Sequence, residues 1–566
     1  MELNILIGGA AGQGMETIMN LLGKSLVREG LGIIYTKDYM SRVRGGHNFS
    51  RLRIATGTPW STVEAIDIMV ALNEETYFLH RDNLTPSARV IFDPQDFDLP
   101  KEENRGIPVE LKKLAEEAGG KVMANTVAVG ALLVLMGLQT NTVEGLLVET
   151  FAEKEGVAEK NIDALKSGYD AAASYCSACF TLPPRNESDK KIFIDGNQVL
   201  GMSALASGCR FLSAYPMTPS TGVMNYLASK SKEYPVVVEQ AEDEIAAINM
   251  ALGASYTGVR ALTCTSGGGF SLMVEGLSLA GMTETPLVII VAMRPGPATG
   301  FPTRTAQGDL NFIIHSGHGE FPRAVLSAIS QEDAFYRLNK AFDLADRYQT
   351  PVIFLSDQNF ADTHRAVEPF DFSRLKYDLA LAGEKELEKP YRRYRFAASG
   401  ISPRILPGEV PDEVVLVDSD EHDEKGNITE DAEIGRKMTE KRMRKQHGLA
   451  KEMDEPDLYG DPHPEVLLVG WGSNYGVLRE AVDVLSEAGT KTAMLHYSDI
   501  YPLPVQRLQE LLGEVRKSYC VENNATGQLA NMIRRETGLQ TGGLILKYDG
   551  RPFLPREIVE EVENDL

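Results

Sequence analysis

The sequence predicts an α/β protein composed of three successive α/β domains. Short apolar segments typical of strands alternate along the chain with longer segments of helical periodicity. Several of these strands run into loops rich in glycine or proline, as is common where a strand connects to a helix. With 566 residues the chain is also too long for one hydrophobic core, and its length suggests about three or four domains.

The first predicted domain spans residues 1–181 and is followed by a linker at 182–191. A strand at Leu3–Ile7 leads through a glycine loop into a helix at about 14–29. Further strands are predicted at Gly32–Thr36, Ile66–Ala71 and Ala88–Phe92. Because strands and helices alternate, we expect a mostly parallel sheet covered on both faces. Two adjacent prolines and a run of polar residues mark the linker.

The second predicted domain spans residues 192–370 and the third spans 464–566, with a polar segment at 371–463 between them. Their strands are predicted at Val236–Glu239, Ala261–Cys264, Leu287–Ala292, Val352–Leu355, Val466–Val469, Thr492–Leu495 and Ser518–Glu522. The polar segment contains an acidic block at 418–431 and a basic block at 436–446. We interpret it as a solvated excursion with one helix, and a cover over a neighbouring active site is the alternative.

Composition argues against several classes of function. The formal net charge of −23 disfavours nucleic-acid binding, which needs clustered Lys and Arg. The longest apolar run, at about 127–138, is too short to span a membrane and is expected to be a buried helix. No basic stretch precedes the first apolar run of the sequence, so we expect no signal peptide and a cytoplasmic location.

Cysteine is sparse in this chain. Five cysteines do not make a disulfide framework, and Cys176 and Cys179 form the one CxxC pair. A single pair cannot supply the four ligands that an iron–sulfur cluster needs. Small buried cysteines or cysteines at a helix end are the favoured interpretation, and redox chemistry or metal sharing with a partner is the alternative.

The chemistry is predicted to lie in the second domain, which carries three distinctive motifs. They are AYPMTPST (214–221), EDEIAA (242–247) and TSGGGFSLM (265–273). Glu244 opens a helical segment whose inward face is predicted to be small. The residues assigned to that face are Ala246, Ala247, Met250, Ala251 and Ala254. An apolar setting disfavours an ionised carboxylate, so Glu244 can exchange a proton with a flat heterocycle, whereas a plain charge at a helix start is the alternative.

Two further segments place polar groups near the same strand ends. In YPMTP, two prolines restrict the backbone and hold Thr218, whose hydroxyl can donate to a substrate oxygen. Arg294 follows the strand Leu287–Ala292, and open α/β sheets bind ligands at the carboxyl ends of their strands. An arginine there can clamp a carboxylate with two hydrogen bonds, and Thr303 is a second candidate donor. A purely structural loop and a surface arginine are the alternatives.

These motifs resemble those of the 2-oxoacid:ferredoxin oxidoreductases, and the whole chain is similar to an alpha subunit of that family with a fused gamma-type domain. The resemblance is carried by YPMTPST, EDEIAAINMALGAS, TSGGGFSLMVEG and MTETP…RPGPATG…PTRTAQGDL. It extends to GGAAGQG and RVRGGHN near the beginning and to DSDEHDEKGNITED and VENNATGQLA near the end, so it covers almost the full length. Met217, Gly268 and Ala11 stand where the family usually has Ile, Pro and Gly, and these departures put no predicted role in doubt.

The resemblance implies a thiamine diphosphate site of which this chain holds the pyrimidine-binding half. Glu244 matches the glutamate that activates the cofactor. Thr218 and Arg294 match the groups near the reacting carboxylate and carbonyl, and Thr303 matches a neighbouring substrate contact. The other cofactor contacts are expected at Tyr215, Pro216, Met217, Thr218, Ser266 and Gly267.

A partner subunit is implied by a motif that the sequence lacks. The diphosphate- and metal-binding signature begins with Gly-Asp-Gly, which occurs nowhere in the 566 residues. The resemblance assigns that site, its Mg2+ and at least one [4Fe-4S] cluster to a smaller beta subunit, with no metal on this chain. It also implies an (αβ)2 heterotetramer, which the transketolase-like C-terminal domain helps to dimerise.

The N-terminal glycine loop at 8–14 follows a strand and opens a helix, a context that suits a phosphate group. It is a poor dinucleotide fingerprint, because Ala11 replaces the middle glycine and Asp38 is only loosely placed. The resemblance implies instead that this domain packs over the active site. Arg44 and His47, in SRVRGGHN, are candidates to bring positive charge to the distal carboxylate of a dicarboxylic 2-oxoacid, and an exposed basic loop is the alternative.

We therefore expect the alpha subunit of a thiamine-dependent 2-oxoacid:ferredoxin oxidoreductase, with 2-oxoglutarate as its substrate. The expected reaction converts a 2-oxoacid, coenzyme A and oxidised ferredoxin into acyl-CoA, CO2 and reduced ferredoxin, and it is reversible. A subunit of a non-oxidative thiamine enzyme of transketolase type is the main alternative. A dinucleotide-dependent dehydrogenase and a binding-only scaffold subunit are the others.

Overall fold

A computed structural model describes residues 2–41, 46–183, 190–383 and 387–565. The chain divides into two compact units. Unit 1 comprises Met1–Ile194 and Thr363–Pro369, and unit 2 comprises Asp195–Asp362 and Phe370–Leu566. The short second segment of unit 1 interrupts unit 2 in the sequence, because the residues before and after it both belong to unit 2.

Strands and helices alternate through both units, and each strand predicted from the sequence is present. The strands are β1 Glu2–Ala10, β2 Gly32–Asp38, β3 His47–Ala55, β4 Ile66–Ala71, β5 Leu84–Phe92, β6 Gly106–Pro108, β7 Ile192–Asp195, β8 Phe211–Ala214, β9 Val237–Gln240, β10 Ala261–Thr265, β11 Leu287–Met293, β12 Ala324–Leu326, β13 Pro351–Asp357, β14 His364–Val367, β15 Leu458–Gly460, β16 Val466–Trp471, β17 Thr492–Tyr497, β18 Asp499–Tyr501, β19 Lys517–Glu522 and β20 Gly543–Leu546. The helices are α1 Met15–Arg28, α2 Glu74–His80, α3 Leu111–Ala118, α4 Ala124–Leu135, α5 Asn141–Thr150, α6 Val157–Ala173, α7 Gly196–Ala206, α8 Thr221–Lys230, α9 Glu244–Tyr256, α10 Gly267–Met282, α11 Leu310–His315, α12 Gln331–Tyr348, α13 Gln358–Asp362, α14 Ala432–Glu452, α15 Tyr475–Glu487, α16 Gln506–Leu512, α17 Gln528–Thr537 and α18 Pro555–Asp565.

Unit 1 is built on an eight-stranded sheet in the order β6-β5-β4-β1-β3-β2-β14-β7. The strands from β6 to β1 are parallel, whereas β3 is antiparallel to both β1 and β2. The expectation of a mostly parallel sheet is therefore wrong for the part of the sheet formed by β1, β3, β2 and β14, where neighbouring strands are antiparallel. The cause lies in β3, where Arg51 and Arg53 alternate with the buried Leu52 and Ile54. Such alternation is typical of an antiparallel strand, but the arginines make the segment look polar.

The apolar run near residue 130 is a buried helix, as predicted. Every residue of α4 from Thr126 to Leu135 is buried. Helix α6 packs directly against it, because Gly130 faces the carbonyl of Leu165 and Gly168 faces the carbonyl of Val127, where a Cβ would collide. Among the described residues, no helix is both long enough and apolar enough to cross a membrane.

The CxxC pair lies just after the end of α6. The sulfur atoms of Cys176 and Cys179 are bonded to each other, and both residues pack partly against the core of unit 1. The thiols of Cys209, Cys264 and Cys520 are free and buried.

Unit 2 contains two sheets that share one hydrophobic core. The first sheet has seven strands in the order β18-β12-β13-β11-β10-β8-β9, and the second has five in the order β15-β17-β16-β19-β20. Ile289 of β11 and Ile353 of β13 belong to the same buried cluster as Leu467 of β16 and Leu495 of β17. Burial of apolar surface between the two sheets makes the main contribution to the free energy that holds them together.

The charged segment before the five-stranded sheet is more buried than the sequence predicted. Its predicted helix is present as α14, but Lys441 and Lys445 of this helix are fully buried. Both ammonium groups form ion pairs with Glu284, and Lys441 Nζ lies 2.6 Å from Glu284 Oε1. Burial lowers the pKa of Lys445 to about 7. Although burial alone raises the pKa of Glu284, the two lysines hold it well below its usual range. A solvated helix is thus wrong for this face of α14.

We expect Glu284→Gln to destabilise unit 2 by about 3 kcal/mol or more, because it leaves two buried ammonium groups without a counter-charge. The shift in the midpoint of urea unfolding measures this effect. Glu440→Gln, which breaks the exposed pair of Glu440 with Arg436 on the same helix, is the control and should leave the midpoint nearly unchanged. Equal midpoints for the two variants would contradict the importance of the buried cluster.

Candidate active site

The motifs predicted to carry the chemistry lie along one edge of the seven-stranded sheet. Strands β9, β8, β10 and β11 are mutually parallel neighbours in that order. Their carboxyl ends therefore open at the same edge, where parallel α/β sheets bind ligands. The segments that follow these strands begin with Ala241, Tyr215, Ser266 and Arg294, in the same order.

Glu244 is buried at the start of α9, with 4 % of its surface exposed. Asp243 caps the helix by accepting a hydrogen bond from the backbone N–H of Ala246 at 2.8 Å. This cap leaves Glu244 in the first turn, and its Oε1 atom has no hydrogen-bond partner among the described residues. Because buried polar atoms almost always have a partner, the carboxyl is placed to meet a group from outside the chain.

The buried face of α9 differs from the predicted one. It consists of Glu244, Ala247, Ile248, Ala251, Leu252 and Ser255. Met250 was assigned to the inward face but is 38 % exposed. Ala247 and Ala251 are buried as predicted, and the difference arises because the true face is rotated toward Ile248 and Leu252.

The first turn of α10 lies against the Glu244 carboxyl. A Cβ at Gly269 would come within 2.5 Å of Glu244 Oε1 and would collide with the hydroxyl of Thr265. The hydroxyl oxygens of Thr265 and Ser266 are fully buried and, like Glu244 Oε1, lack partners in the part of the chain that the structure describes. Hydroxyls that donate or accept, beside a carboxyl in a space kept open by glycine, fit a flat polar heterocycle such as an aminopyrimidine.

The YPMTP loop and Arg294 are brought together by a hydrogen bond. Arg294 Nη1 donates to the backbone carbonyl oxygen of Thr218 at 2.7 Å. This bond joins the loop after β8 to the segment after β11. Burial lowers the pKa of Arg294. The predicted cofactor contact Tyr215 is 40 % exposed, and Pro216 and Met217 are partly buried.

The segment after Arg294 contains a carboxyl group, that of Asp309, which the sequence reasoning did not single out. Thr303, a predicted substrate contact, is buried in this segment. At its end, the Oδ2 atom of Asp309 is enclosed without a hydrogen-bond partner from residues 2–41, 46–183, 190–383 and 387–565, and a Cβ at Gly267 would collide with it. Burial raises the pKa of Asp309 to about 6. Its place at the end of PTRTAQGDL was the signal available in the sequence.

The predicted substrate contacts near the N-terminus belong to unit 1. Arg44 lies outside the described residues. His47 is buried, and its Nε2 atom shares a hydrogen bond of 2.9 Å with Nε2 of His80. Burial lowers the pKa of His47 and, together with the neighbouring His47, lowers the pKa of His80 to about 4. Both rings therefore favour the neutral form near pH 7, in which His47 can offer a hydrogen bond but no charge.

Comparison with known proteins places the chain in a family. Residues 202–441 match the family described as pyruvate flavodoxin/ferredoxin oxidoreductase, thiamine diphosphate-binding. Residues 4–171 match pyruvate ferredoxin/flavodoxin oxidoreductase, and residues 464–558 match core domain II of pyruvate:ferredoxin oxidoreductase. A 2-oxoacid:ferredoxin oxidoreductase subunit alpha from Sulfolobus sp is 33% identical over 99% of this chain and 96% of its own.

The chain belongs to the 2-oxoacid:ferredoxin oxidoreductase alpha-subunit family. Its similarity to 2-oxoglutarate oxidoreductase subunit KorA of Mycobacterium tuberculosis is 34% identity over 78% of this chain and 68% of that protein. The solved 2-oxoglutarate:ferredoxin oxidoreductase of Magnetococcus marinus, with 2-oxoglutarate, coenzyme A and succinyl-CoA bound, matches with a TM-score of 0.92. That match has 30% identity and covers 100% of this chain and 99% of the other. The predicted family, α/β fold class and thiamine-dependent oxidoreductase function are confirmed.

Gly269→Ala should lower turnover of the assembled oxidoreductase by roughly 100-fold, because the added methyl group displaces the Glu244 carboxyl and the Thr265 hydroxyl. The initial rate of dye reduction at saturating thiamine diphosphate measures this loss. Gly253→Ala on α9 is the matched control, since its Cβ would meet nothing within 4 Å. Turnover of Gly269→Ala equal to that of the control would show that the first turn of α10 does not border the site.

Proposed function

We propose that this chain is the alpha subunit of an enzyme that oxidatively decarboxylates 2-oxoglutarate with coenzyme A, giving succinyl-CoA, CO2 and reduced ferredoxin. The observation that carries the proposal is the buried Glu244 carboxyl, whose Oε1 atom is left without a partner beside a glycine turn. The choice of 2-oxoglutarate is supported by the ligands named for the Magnetococcus marinus enzyme, which is similar over the whole chain. The reaction is reversible.

Thiamine diphosphate, when bound, supplies the carbon centre that takes up the electrons of the broken bond. Glu244 has the setting needed to serve it. Its carboxyl is enclosed beside Gly269 and the Thr265 hydroxyl, and Oε1 has no partner among the described residues, so this oxygen is free to hydrogen-bond to a ring nitrogen. Thr265 and Ser266 supply two hydroxyl groups for the same ring. The predicted contacts Tyr215, Pro216, Met217 and Gly267 complete this half of the proposed site.

Arg294 and Thr218 are proposed to orient the 2-oxoacid. The bond from Arg294 Nη1 to the Thr218 carbonyl ties the guanidinium to the loop after β8, and its other N–H groups are proposed to bind a carboxylate. The Thr218 hydroxyl lies on the same restrained loop and can donate to the 2-oxo group. Thr303 is proposed as a neighbouring substrate contact. Roles for Arg44 and His47 at the distal carboxylate stay predictions.

A beta subunit is proposed to complete the enzyme. The sequence has no Gly-Asp-Gly with which to begin a diphosphate and Mg2+ site, so a second chain must provide it. Apolar side chains near the strand ends support a protein surface there, because Tyr215, Ile245 and Leu272 are 40 %, 52 % and 51 % exposed. We assign the [4Fe-4S] cluster and the transfer of electrons to ferredoxin to that partner, in an (αβ)2 assembly.

Glu244→Gln should reduce coenzyme A-dependent viologen reduction by roughly 100-fold or more in the purified complex, because glutamine cannot exchange a proton. Glu242→Gln is the matched control, since Glu242 is an exposed carboxylate two residues earlier and should leave the rate unchanged. The assay is run anaerobically with 2-oxoglutarate and a panel of other 2-oxoacids.

Each outcome of this assay has a separate meaning. Full activity of Glu244→Gln would overturn the assignment of Glu244 and favour a scaffold subunit. A different preferred acid would correct the substrate alone. A colourless wild-type complex that binds thiamine diphosphate, reduces no dye and transfers a two-carbon unit between sugars would favour the non-oxidative alternative.

A further inference from the structure

Gln307 is a fully buried amide, and the partners of its side chain among the described residues lie in the part of unit 2 that carries the five-stranded sheet. Its Nε2 atom donates to the carbonyl oxygen of Trp471 at 2.8 Å. Its Oε1 atom accepts from Asn474 Nδ2 and from the backbone N–H of Asn523, both at 3.0 Å. One donor and one doubly used acceptor suit a neutral amide, whereas an ionised carboxylate of the same size has no donor.

The backbone around Gln307 is bonded to the same region. The N–H of Gln307 donates to the carbonyl of Asn523 at 2.7 Å, and the carbonyl of Gln307 accepts from Asn524 Nδ2 at 3.1 Å. Gln528 then donates to the carbonyl of Gly308 at 2.7 Å. These partners lie at the carboxyl ends of β16 and β19, so two strand ends hold one short segment.

That segment carries groups of the candidate site. Thr303 lies four residues before Gln307, and Asp309 lies two residues after it with its carboxyl against Gly267. Thr305 is tied in turn to Asp357 through its hydroxyl at 3.3 Å. A shift at Gln307 would therefore move a predicted substrate contact and a buried carboxyl together.

Cohesion between the two sheets does not need this network. The shared hydrophobic core already joins them through residues such as Ile353 and Leu467. An apolar side chain at position 307 would add to that core, whereas a buried amide requires every polar atom to find a partner. The hydrogen bonds of Gln307 instead restrict the position of a segment that has little apolar surface of its own.

We propose that Gln307 is a positioning residue through which the C-terminal domain holds the 303–309 segment in register for the 2-oxoacid. The inference rests on the proposed function, and it gives the C-terminal domain a part in substrate binding besides assembly. Gln307 itself touches no reacting atom in this assignment.

Gln307→Glu tests the assignment in the purified complex. It removes the donor to Trp471 and sets a carboxylate oxygen against a carbonyl oxygen, so we expect the KM for the 2-oxoacid to rise about tenfold at pH 7.5. The KM for coenzyme A should stay within about twofold of the wild-type value. At lower pH the introduced carboxyl regains a proton and can donate again, so the rise in KM should shrink.

Asn339→Asp is the matched control. Asn339 is also a buried amide of unit 2, and its Nδ2 atom donates to Ser207 Oγ at 3.0 Å and to the carbonyl of Lys376 at 2.9 Å. The exchange of amide for carboxylate is the same, so a comparable loss of melting temperature is expected with an unchanged KM for the 2-oxoacid. Asn474→Ala, which keeps the bond to Trp471, should raise that KM by a smaller factor.

A KM for the 2-oxoacid within twofold of wild type in Gln307→Glu would overturn the assignment, as would an equal rise in Asn339→Asp. If Gln307→Glu does not assemble, the Asn474→Ala variant decides in the same way. A wild-type complex that turns over no 2-oxoacid would overturn the proposed function and this assignment together, whereas a normal wild type with a normal Gln307→Glu overturns the assignment alone.

Discussion

Parallel hydrogen bonding among β8, β9, β10 and β11 determines where this chain can perform chemistry. Parallel strands bring their carboxyl ends to one edge, so loops that are far apart in the sequence open side by side. The pairing is stabilised by strand residues that are fully buried, such as Ile289 and Leu262. The Glu244 turn, the YPMTP loop, the glycine turn of α10 and Arg294 all depend on this alignment.

Unit 2 uses buried polar groups in two opposite ways. Both polar atoms of the Gln307 side chain have partners, and they help to fix the segment of backbone that carries this residue. Beside α10, Glu244 Oε1 and the hydroxyls of Thr265 and Ser266 have none. An unsatisfied buried polar group costs about 1–3 kcal/mol, which a bound cofactor would offset. The unsatisfied atoms around Glu244 support the proposed cofactor site, and the bonded Gln307 amide supports its proposed role in positioning a neighbouring segment.

The strands and most helices could be predicted because apolar periodicity is a local property. Three differences show where that signal fails. The arginines of β3 concealed an antiparallel strand, and the lysines of α14 concealed a buried face whose two ammonium groups pair with Glu284. On α9 the buried face turned toward Ile248, because the neighbouring elements decide which side of an almost wholly apolar helix is covered.

The residue patterns were enough to identify the family, the α/β fold class and the lack of Gly-Asp-Gly, and to single out Glu244 as a candidate, since each is written in a short stretch of chain. The contacts that turn these motifs into a site came from packing. Arg294 donates a hydrogen bond to the carbonyl of Thr218, and Gln307 accepts one from the backbone N–H of Asn523. Both bonds form because strand register brings the ends of separate strands close together. Local periodicity carries no record of such distant pairings, which depend on strand register and on how two sheets share one core.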